Sequence, residues 1–156
     1  MGYRRPANHE DALWLGPRLR QEDQDEIRAG SGSDGTSALI QGLSLSSECH
    51  TMVGDDGVPF GMFGLVPTQD PMVAYPWMLA TDGLKTKSHS VQFLRQCRAW
   101  VGEVNIKHQV LTNLVDSRNE LHIKWLKWCG FIFIRRIEHY GVSQLPFYEF
   151  VRVSNV

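Results

Sequence analysis

Alternating and periodic apolar positions divide the chain into seven predicted strands and four predicted helices. The strands are predicted at 3–5, 48–53, 58–66, 73–80, 110–115, 131–137 and 146–153. The helices are predicted after Asn8, over 36–45, over 88–104 and between Asn119 and Gly130. Helical crossovers after the fourth and the fifth strand are typical of a mostly antiparallel sheet with one parallel βαβ unit.

The last predicted helix has the clearest periodicity in the chain. Leu121, Trp125, Trp128 and Cys129 recur at i, i+4, i+7 and i+8, which predicts one apolar helical face. Gly130 follows at once and is expected to end the helix, because a residue without Cβ adopts the left-handed conformation at low cost.

The strands in the first half of the chain contain residues that interrupt a regular ladder. A turn at 55–57 joins two β-prone segments and predicts a hairpin. Gly61 and Gly64 in its second strand indicate a bulge or a close backbone approach. Pro76 removes one ladder donor from the next strand, which predicts an edge or splayed position.

Two polar segments separate these elements. The segment 18–30 carries both signs of charge, and we interpret it as a solvated helical face and turn after a break at Pro17. The segment 30–35, GSGSDG, follows no strand and contains no lysine, so it is a flexible turn rather than a phosphate-binding loop.

Length and charge narrow the classes of function. A chain of 156 residues with 42% hydrophobic content can form one core, and we expect a single domain over 1–156. Sixteen basic and seventeen acidic side chains argue against direct nucleic-acid binding. There is no apolar segment approaching the ~18 residues of a membrane span, and no signal-peptide core. These observations predict a soluble protein made in a cytoplasm.

The spacing of cysteine and histidine gives no metal signature. Cys49, Cys97 and Cys129 lie far apart, which predicts free thiols rather than disulfides. The six histidines show no paired metal-ligand spacing, so we predict no metal site.

The order of elements, together with the helix–Gly–Phe–strand unit at Gly130 and Phe131, resembles the GNAT superfamily of N-acetyltransferases over essentially the whole chain. The resemblance implies an α+β fold with a mixed, mostly antiparallel sheet of about seven strands and four helices. It also implies acetyl-CoA as the cofactor of an enzymatic member, bound where the fourth and fifth strands splay apart.

The family holds the cofactor pyrophosphate in a loop of pattern [RQ]-x-x-G-x-[GA], which matches Lys85 to Ser90 here with serines in place of both glycines. A helix N-terminus supplies the anion-binding N–H groups of such a loop. Alternatively, Ser88 is a simple N-cap. The cofactor-binding candidates are Lys85, Lys87, Ser88, His89, Ser90 and Asn119.

The family pattern N-x-x-A-x-x-x-Y-x-x-x-G-F begins at Asn119 and assigns its tyrosine, the general acid, to Leu126. Ser117 or Tyr140 would have to replace that hydroxyl. The nearest candidates for a general base are Glu48, His50 and Asp82, each also explained as a solvated surface group.

Three segments, 47–64, 79–96 and 119–130, resemble a family of small internal virion proteins of short-tailed coliphages. That resemblance implies a bacteriophage protein with a degenerate acetyl-CoA site. Its partners would be phage virion proteins or host proteins, and its location the host cytoplasm or the virion interior. The alternatives are an active acetyl-CoA-dependent N-acetyltransferase that modifies a host protein amine, or an acyl-CoA-binding protein without turnover.

Overall fold

A computed structural model describes residues 3–154, which form seven strands, five α-helices and two short 3-10 helices. The strands are β1 (Tyr3–Pro6), β2 (Glu48–Val53), β3 (Pro59–Pro67), β4 (Val73–Ala80), β5 (Val110–Asp116), β6 (Ile132–Tyr140) and β7 (Leu145–Val153). The helices are α1 (His9–Leu15), α2 (Gln21–Ser31), α3 (Gly35–Leu45), α4 (Lys87–Lys107) and α5 (Glu120–Trp128). The 3-10 helices are Gly16–Arg18 and Asp82–Lys85.

The prediction of four helices was wrong, because the charged segment after Pro17 forms the separate helix α2. Pro17 lies in the 3-10 helix that divides α1 from α2, since proline cannot continue the hydrogen-bond ladder of α1. Gly32, with φ of 74°, ends α2 in the left-handed conformation. The segment is also not simply a solvated face, because the Asp23 residue is 0% exposed.

The sheet has the order β1-β2-β3-β4-β5-β7-β6, and all neighbouring strands are antiparallel except β4 and β5. These two strands pair at only two positions, Val73 with Val110 and Ala74 with Leu111. The predicted parallel βαβ unit is therefore present, with α4 as its crossover, and its two strands separate toward their C-terminal ends.

Pro76 lies where the separation begins. Proline has no N–H to donate, and its carbonyl accepts a hydrogen bond of 3.0 Å from the side chain of Asn113 on β5. The Asn113 side chain thus replaces a backbone ladder bond at this level. The prediction that Pro76 marks a splayed position is confirmed.

Helices cover both faces of the sheet. One core cluster joins Phe63 and Met78 to side chains of α4 and α5, and a second joins Met62 and Leu79 to α1 and α3. Because neighbouring residues of a strand point to opposite faces, α4 and α5 pack on one face and α1 and α3 on the other. The gap between β4 and β5 consequently opens between two different helical layers.

Helix α5 buries only part of the predicted stripe. Trp125 and Cys129 are buried as predicted, whereas Leu121 and Trp128 are exposed. The buried face is rotated toward His122 and Leu126, because a histidine takes a buried position that the spacing of the large apolar residues did not indicate. Gly130 has φ of 91°, so the predicted left-handed end of the helix is confirmed.

Candidate functional site

Two cavities flank the gap between β4 and β5. The first, which we call the α4 cavity, has a volume of 420 Å³ and lies between the end of β4, the start of α4 and helix α5. Its lining consists of Arg20, Met78, Leu84, Lys85, Ser90, Phe93, Leu94, Leu121, His122, Lys124, Trp125 and Trp128.

The second, which we call the α3 cavity, has a volume of 280 Å³ and lies against α3 on the other face of the sheet. Its lining consists of Glu26, Ala38, Gln41, Gly42, Leu45, Val66, Pro76, Trp77, Met78, Leu79, Asn113, Leu114, His122 and Phe150. Met78 and His122 line both cavities, so the two cavities adjoin at the gap.

The ionisable groups of the two linings differ. Within residues 3–154, the α4 cavity is lined by the cationic side chains Arg20, Lys85 and Lys124 and by no carboxylate. The α3 cavity is lined by the carboxyl group of Glu26 and by no lysine or arginine. The geometry therefore offers an anion-favouring space and an amine-favouring space on either side of one opening.

Helix α2 closes the wide end of the gap with a buried polar network. Arg20, which is 1% exposed, donates hydrogen bonds of 2.8 Å to Asp23 and 3.0 Å to the side-chain oxygen of Asn119. Asp23 also accepts the backbone N–H of Ala80 at 3.0 Å. The carboxylate thus satisfies an N–H of β4 that β5, having moved away, no longer reaches.

One donor of the network has no partner. The Nε atom of Arg20 makes no hydrogen bond to any residue that the structure describes, although its side chain is buried and lines the α4 cavity. A buried guanidinium with a free N–H favours an acceptor or anionic group nearby.

Glu26 lies one helical turn after Asp23 and faces β5. Its Oε1 atom accepts the backbone N–H of Asp116 at 2.9 Å and the side-chain amide of Asn119 at 3.3 Å. Burial raises the pKa of the Glu26 carboxyl to about 8, and the negative charge of Asp23 adds to this effect. The group therefore changes protonation near neutral pH.

His122 faces Glu26 across the junction of the cavities. It is 5% exposed, and burial lowers the pKa of its imidazole to about 4, so the ring is neutral at pH 7. Its Nδ1 atom has no hydrogen-bond partner among the described residues and lies 3.9 Å from Glu26 Oε1. An amine nitrogen that hydrogen-bonded both would have to lie about 2.9 Å from each atom.

The predicted cofactor-binding residues at the start of α4 separate into two groups. Lys85 and Ser90 line the α4 cavity, whereas Lys87 and Ser88 line a different groove on the outer side of α4. His89 stacks on Phe60 with ring centroids 4.5 Å apart. The alternative that Ser88 is an N-cap is wrong, because α4 begins at Lys87 with Thr86 as its N-cap.

The predicted candidates for a general base lie away from the junction. Glu48 accepts hydrogen bonds from Trp100 at 2.6 Å and bonds His50 at 3.1 Å, and neither Glu48 nor His50 lines either cavity. Burial opposes charge on Glu48, but these hydrogen bonds hold its pKa below the usual value. The Asp82 side chain is 73% exposed and pairs with Lys85.

The predicted candidates for a general acid also lie outside both cavities. The N–H of Ser117 donates to the carbonyl of Pro146 in the turn after β5, and the ring of Tyr140 packs on Phe147. Leu126, at the tyrosine position of the family pattern, is buried in the core between α4, α5 and the sheet. Among the predicted residues, Lys85, Ser90 and Asn119 lie at the cavities or in their network.

Sequence reasoning missed the residues that surround the junction. Arg20, Asp23 and Glu26 recur at i, i+3 and i+6, a spacing that places them on one helical face, and this was the available signal. His122 stands where the family pattern has alanine, a substitution that the count from Asn119 would have shown.

Comparisons with known proteins address the fold. No family model matches the chain, and no curated protein matches its sequence. An acetyltransferase of the GNAT family from Streptococcus pneumoniae matches 99% of this chain and 100% of its own, with 14% identity and a TM-score of 0.64. The chain has the GNAT fold.

Other solved structures share this GNAT fold at similarly low identity. A GNAT-family acetyltransferase from Bacillus anthracis matches 97% of this chain and 94% of its own, with 8% identity and a TM-score of 0.69. A spermidine N-acetyltransferase from Vibrio cholerae, in complex with CoA and spermine, matches 97% of this chain and 95% of its own, with 8% identity and a TM-score of 0.69. The implied fold class is thereby confirmed, apart from the number of helices.

Three further observations concern chemistry outside the cleft. Cys49, Cys97 and Cys129 are free thiols, as predicted. Between residues 3 and 154, the histidine, cysteine and acidic side chains form no group that could hold a metal ion. In the same range, no helix has the length and apolar character needed to cross a membrane.

Proposed function

We propose that this GNAT-fold protein is an acetyl-CoA-dependent N-acyltransferase. The observation that carries the proposal is the pair of adjoining cavities, one lined by cationic side chains and the other by a single carboxyl group, with Glu26 and His122 at their junction. A reaction between an anionic acyl donor and an amine needs one binding space for each and a proton acceptor where the two meet.

The α4 cavity fits the donor. Lys85, Lys124 and the unpartnered Nε of Arg20 suit phosphate and carbonyl oxygens, and Leu84 and Phe93 provide an apolar floor for an alkyl chain. The first N–H groups of α4 have no partner within the helix and add a favourable field for an anion. Donor binding would also involve residues on the outer side of the helix, namely Lys87, Ser88 and His89. Asn119 would act indirectly, by holding Arg20 in place through a hydrogen bond.

When bound, acetyl-CoA supplies a thioester whose carbonyl carbon an amine attacks. The protein must remove a proton from the ammonium form of that amine, and Glu26 is the carboxyl group at the junction. A cation beside Glu26 stabilises its carboxylate and so lowers its pKa from about 8 toward neutrality. His122, which is neutral, orients the amine through Nδ1.

Backbone groups of β4 would orient the acyl chain. The carbonyl of Pro76 and the N–H of Ala80 both point toward β5. Because the direction of backbone groups alternates along an antiparallel strand, the N–H and C=O of Met78 point the same way. Met78 pairs with no residue of β5 and is thus placed to bind a ligand in the gap.

A second candidate function is a non-catalytic bacteriophage protein of the virion interior or host cytoplasm, with phage or host proteins as partners. Two observations favour it: both glycines of the pyrophosphate pattern are serines, and the buried Leu126 has no proton to give. The proposed acyltransferase therefore lacks an acid at the usual position, and the leaving thiolate would take, through water, the second proton that the attacking nitrogen releases as the amide forms.

Calorimetric titration with acetyl-CoA, followed by an assay for released thiol with a mixture of amines, tests the proposal. We expect micromolar binding to the wild-type protein and at least about tenfold weaker binding to Ser90→Asp, which places a carboxylate in the α4 cavity. Ser143→Asp, in the exposed turn before β7, is the control and should bind normally. A flat titration of the wild-type protein would overturn the proposal and favour the non-catalytic candidate.

A further inference from the structure

We infer that the acceptor of the proposed reaction is a monoamine with a compact apolar body, of the size of phenethylamine, rather than a polyamine or an amino acid. This inference rests on the proposed function and identifies the substrate class of the same site. It follows from the size, the rigid aromatic wall and the single charge of the α3 cavity.

The size of the α3 cavity limits the part of the acceptor that it can enclose. A cavity of about 150 Å³ holds one benzene molecule. The α3 cavity, at 280 Å³, has room for one ring and a short aminoalkyl chain. Leu79 and Phe150 are buried in its wall and present apolar surface to the body of the ligand.

Trp77 forms a fixed aromatic wall. Its indole Nε1 donates a hydrogen bond of 2.8 Å to the hydroxyl of Ser46, which holds the ring in place. The ring lies directly against α3 at Gly42, where an added Cβ would come within 2.7 Å of Trp77 Cζ2. A rigid indole face favours a flat apolar or aromatic group.

The charge of the α3 cavity selects one amino group. Glu26 is the one acidic residue in the lining, counting residues 3–154, and it lies at the junction where the amine must react. A second ammonium group inside the cavity would lie against buried side chains such as Leu79 and Phe150 and lose hydration without a carboxylate partner. A substrate carboxylate would likewise find no lysine or arginine there.

The other polar groups of the lining do not change this selection. The amide of Asn113 donates to the carbonyl of Pro76, and its oxygen accepts the N–H of Leu114 at 2.8 Å, so both of its ends are engaged. Gln41 is exposed at the outer end of the cavity and is uncharged. The spermidine N-acetyltransferase that was solved with spermine shares only the fold, at 8% identity. The acceptor of this chain is therefore inferred from the lining of its own α3 cavity.

Calorimetric titration of phenethylamine and of spermidine into the full-length protein, with and without coenzyme A, tests the inference. We expect phenethylamine to bind at least about tenfold more tightly than spermidine, because the second and third ammonium groups are desolvated without partners. Equal or tighter binding of spermidine would overturn the inference, and so would the absence of binding by any amine.

A gain-of-function variant makes the test sharper. Leu45 is 54% exposed at the rim of the α3 cavity, so Leu45→Glu adds a carboxylate without disturbing the core. We expect spermidine to bind this variant about two- to fivefold more tightly, as one exposed ion pair allows, while phenethylamine gains nothing. Leu13→Glu on α1, where the native side chain is 49% exposed and outside the cavity, should leave both affinities unchanged.

The two proposals fail in different ways. If acetyl-CoA does not bind, the proposed acyltransferase function is overturned. If acetyl-CoA binds but spermidine is preferred by the wild-type protein, or if Leu45→Glu and Leu13→Glu behave alike, only the inference about the acceptor is overturned.

Discussion

The two cavities beside the β4–β5 gap differ in charge although both are largely apolar. The α4 cavity is lined by three cationic side chains. Lys85 comes from the 3-10 helix that precedes α4, and Lys124 comes from α5. The α3 cavity is lined by one carboxyl group, which comes from α2. A single opening in a sheet thus separates two electrostatic environments, because each face is covered by different helices.

This difference in lining groups indicates which cavity suits the acyl donor and which suits the amine, whereas the shape of the cleft does not. Two adjoining apolar cavities could hold one long ligand or two short ones. Cationic side chains on one side, and on the other a carboxyl group that ionises beside a cation, favour two different ligands, an anionic donor and a cationic acceptor. Glu26 Oε1 and the buried His122 Nδ1, 3.9 Å apart at the junction, then lie where the reacting atoms would meet.

The largest expected effect comes from removing the acidic group of the α3 cavity. Glu26→Gln keeps an oxygen that can accept the N–H of Asp116 but cannot take a proton, so we expect turnover to fall about 10²- to 10⁴-fold. Steady-state kinetics with the preferred amine measure the effect, and acetyl-CoA affinity should stay unchanged.

Asp25→Asn provides the matched control for Glu26→Gln. Asp25 is the preceding residue on α2 and pairs with Gln21 on the exposed side of the helix. Its substitution should leave turnover within about twofold of the wild-type value. Wild-type activity in Glu26→Gln would contradict the assignment of the proton acceptor.

A smaller effect is expected on stability as the pH changes. The pKa of Glu26 is raised from 4.5 to about 8, so the folded protein binds more protons than the unfolded chain between these values, and stability falls as pH rises. The pKa of His122 is lowered from 6.5 to about 4, so the contribution of His122 to stability rises with pH in that window and is nearly complete near pH 6.5. Between pH 6.5 and 8 the main change in stability is therefore the loss due to Glu26.

We therefore expect the free energy of unfolding to fall on the order of 1.5 kcal/mol between pH 6.5 and 8. Urea unfolding at several pH values measures it. Glu26→Gln has no carboxyl group to titrate and should show a nearly flat profile over this range. The same dependence of stability on pH in the wild-type protein and the variant would show that the pKa of Glu26 is not raised in the folded protein.

The smallest expected effect tests the cationic side. Lys124→Glu reverses a charge in the lining of the α4 cavity, and we expect acetyl-CoA to bind about three- to tenfold more weakly, with the difference reduced by salt. Lys127→Glu changes the same helix three residues later, where the native side chain lies over Phe133 and outside both cavities. Equal effects of the two substitutions on acetyl-CoA affinity would show that Lys124 acts only through the general surface charge of the protein.

Several elements of the fold could be predicted because their signals are local. Pro76 lacks an N–H whatever surrounds it, and the strand separates from β5 at that residue. Gly130 ends α5 in a conformation that few other residues adopt at low cost. The hairpin at 55–57 also follows from its turn residues, and Gly57 there has φ of 77°.

The candidate site could be predicted only in part. The match of Lys85 and Ser90 to a known pattern led to the α4 cavity, because those residues lie only five positions apart, on either side of the start of α4. The search for a carboxylate or histidine near the splayed strands selected Glu48 and His50 on β2, but these two bond each other, and Glu48 also accepts a hydrogen bond from Trp100 on α4. A carboxylate near a strand in sequence need not face the cleft, since side-chain direction alternates along the strand.

The sequence by itself determined the order of the strands, because each has its own run of β-prone residues. It also determined the position at which β4 leaves β5 and the end of α5, because each of these depends on the backbone chemistry of a single residue. Only the tertiary structure decided that α2 closes the gap, since the hydrogen bond from Arg20 to Asn119 joins residues 99 positions apart. It also decided the pKa values of Glu26 and His122, because these depend on burial and on neighbouring charges that several elements bring together.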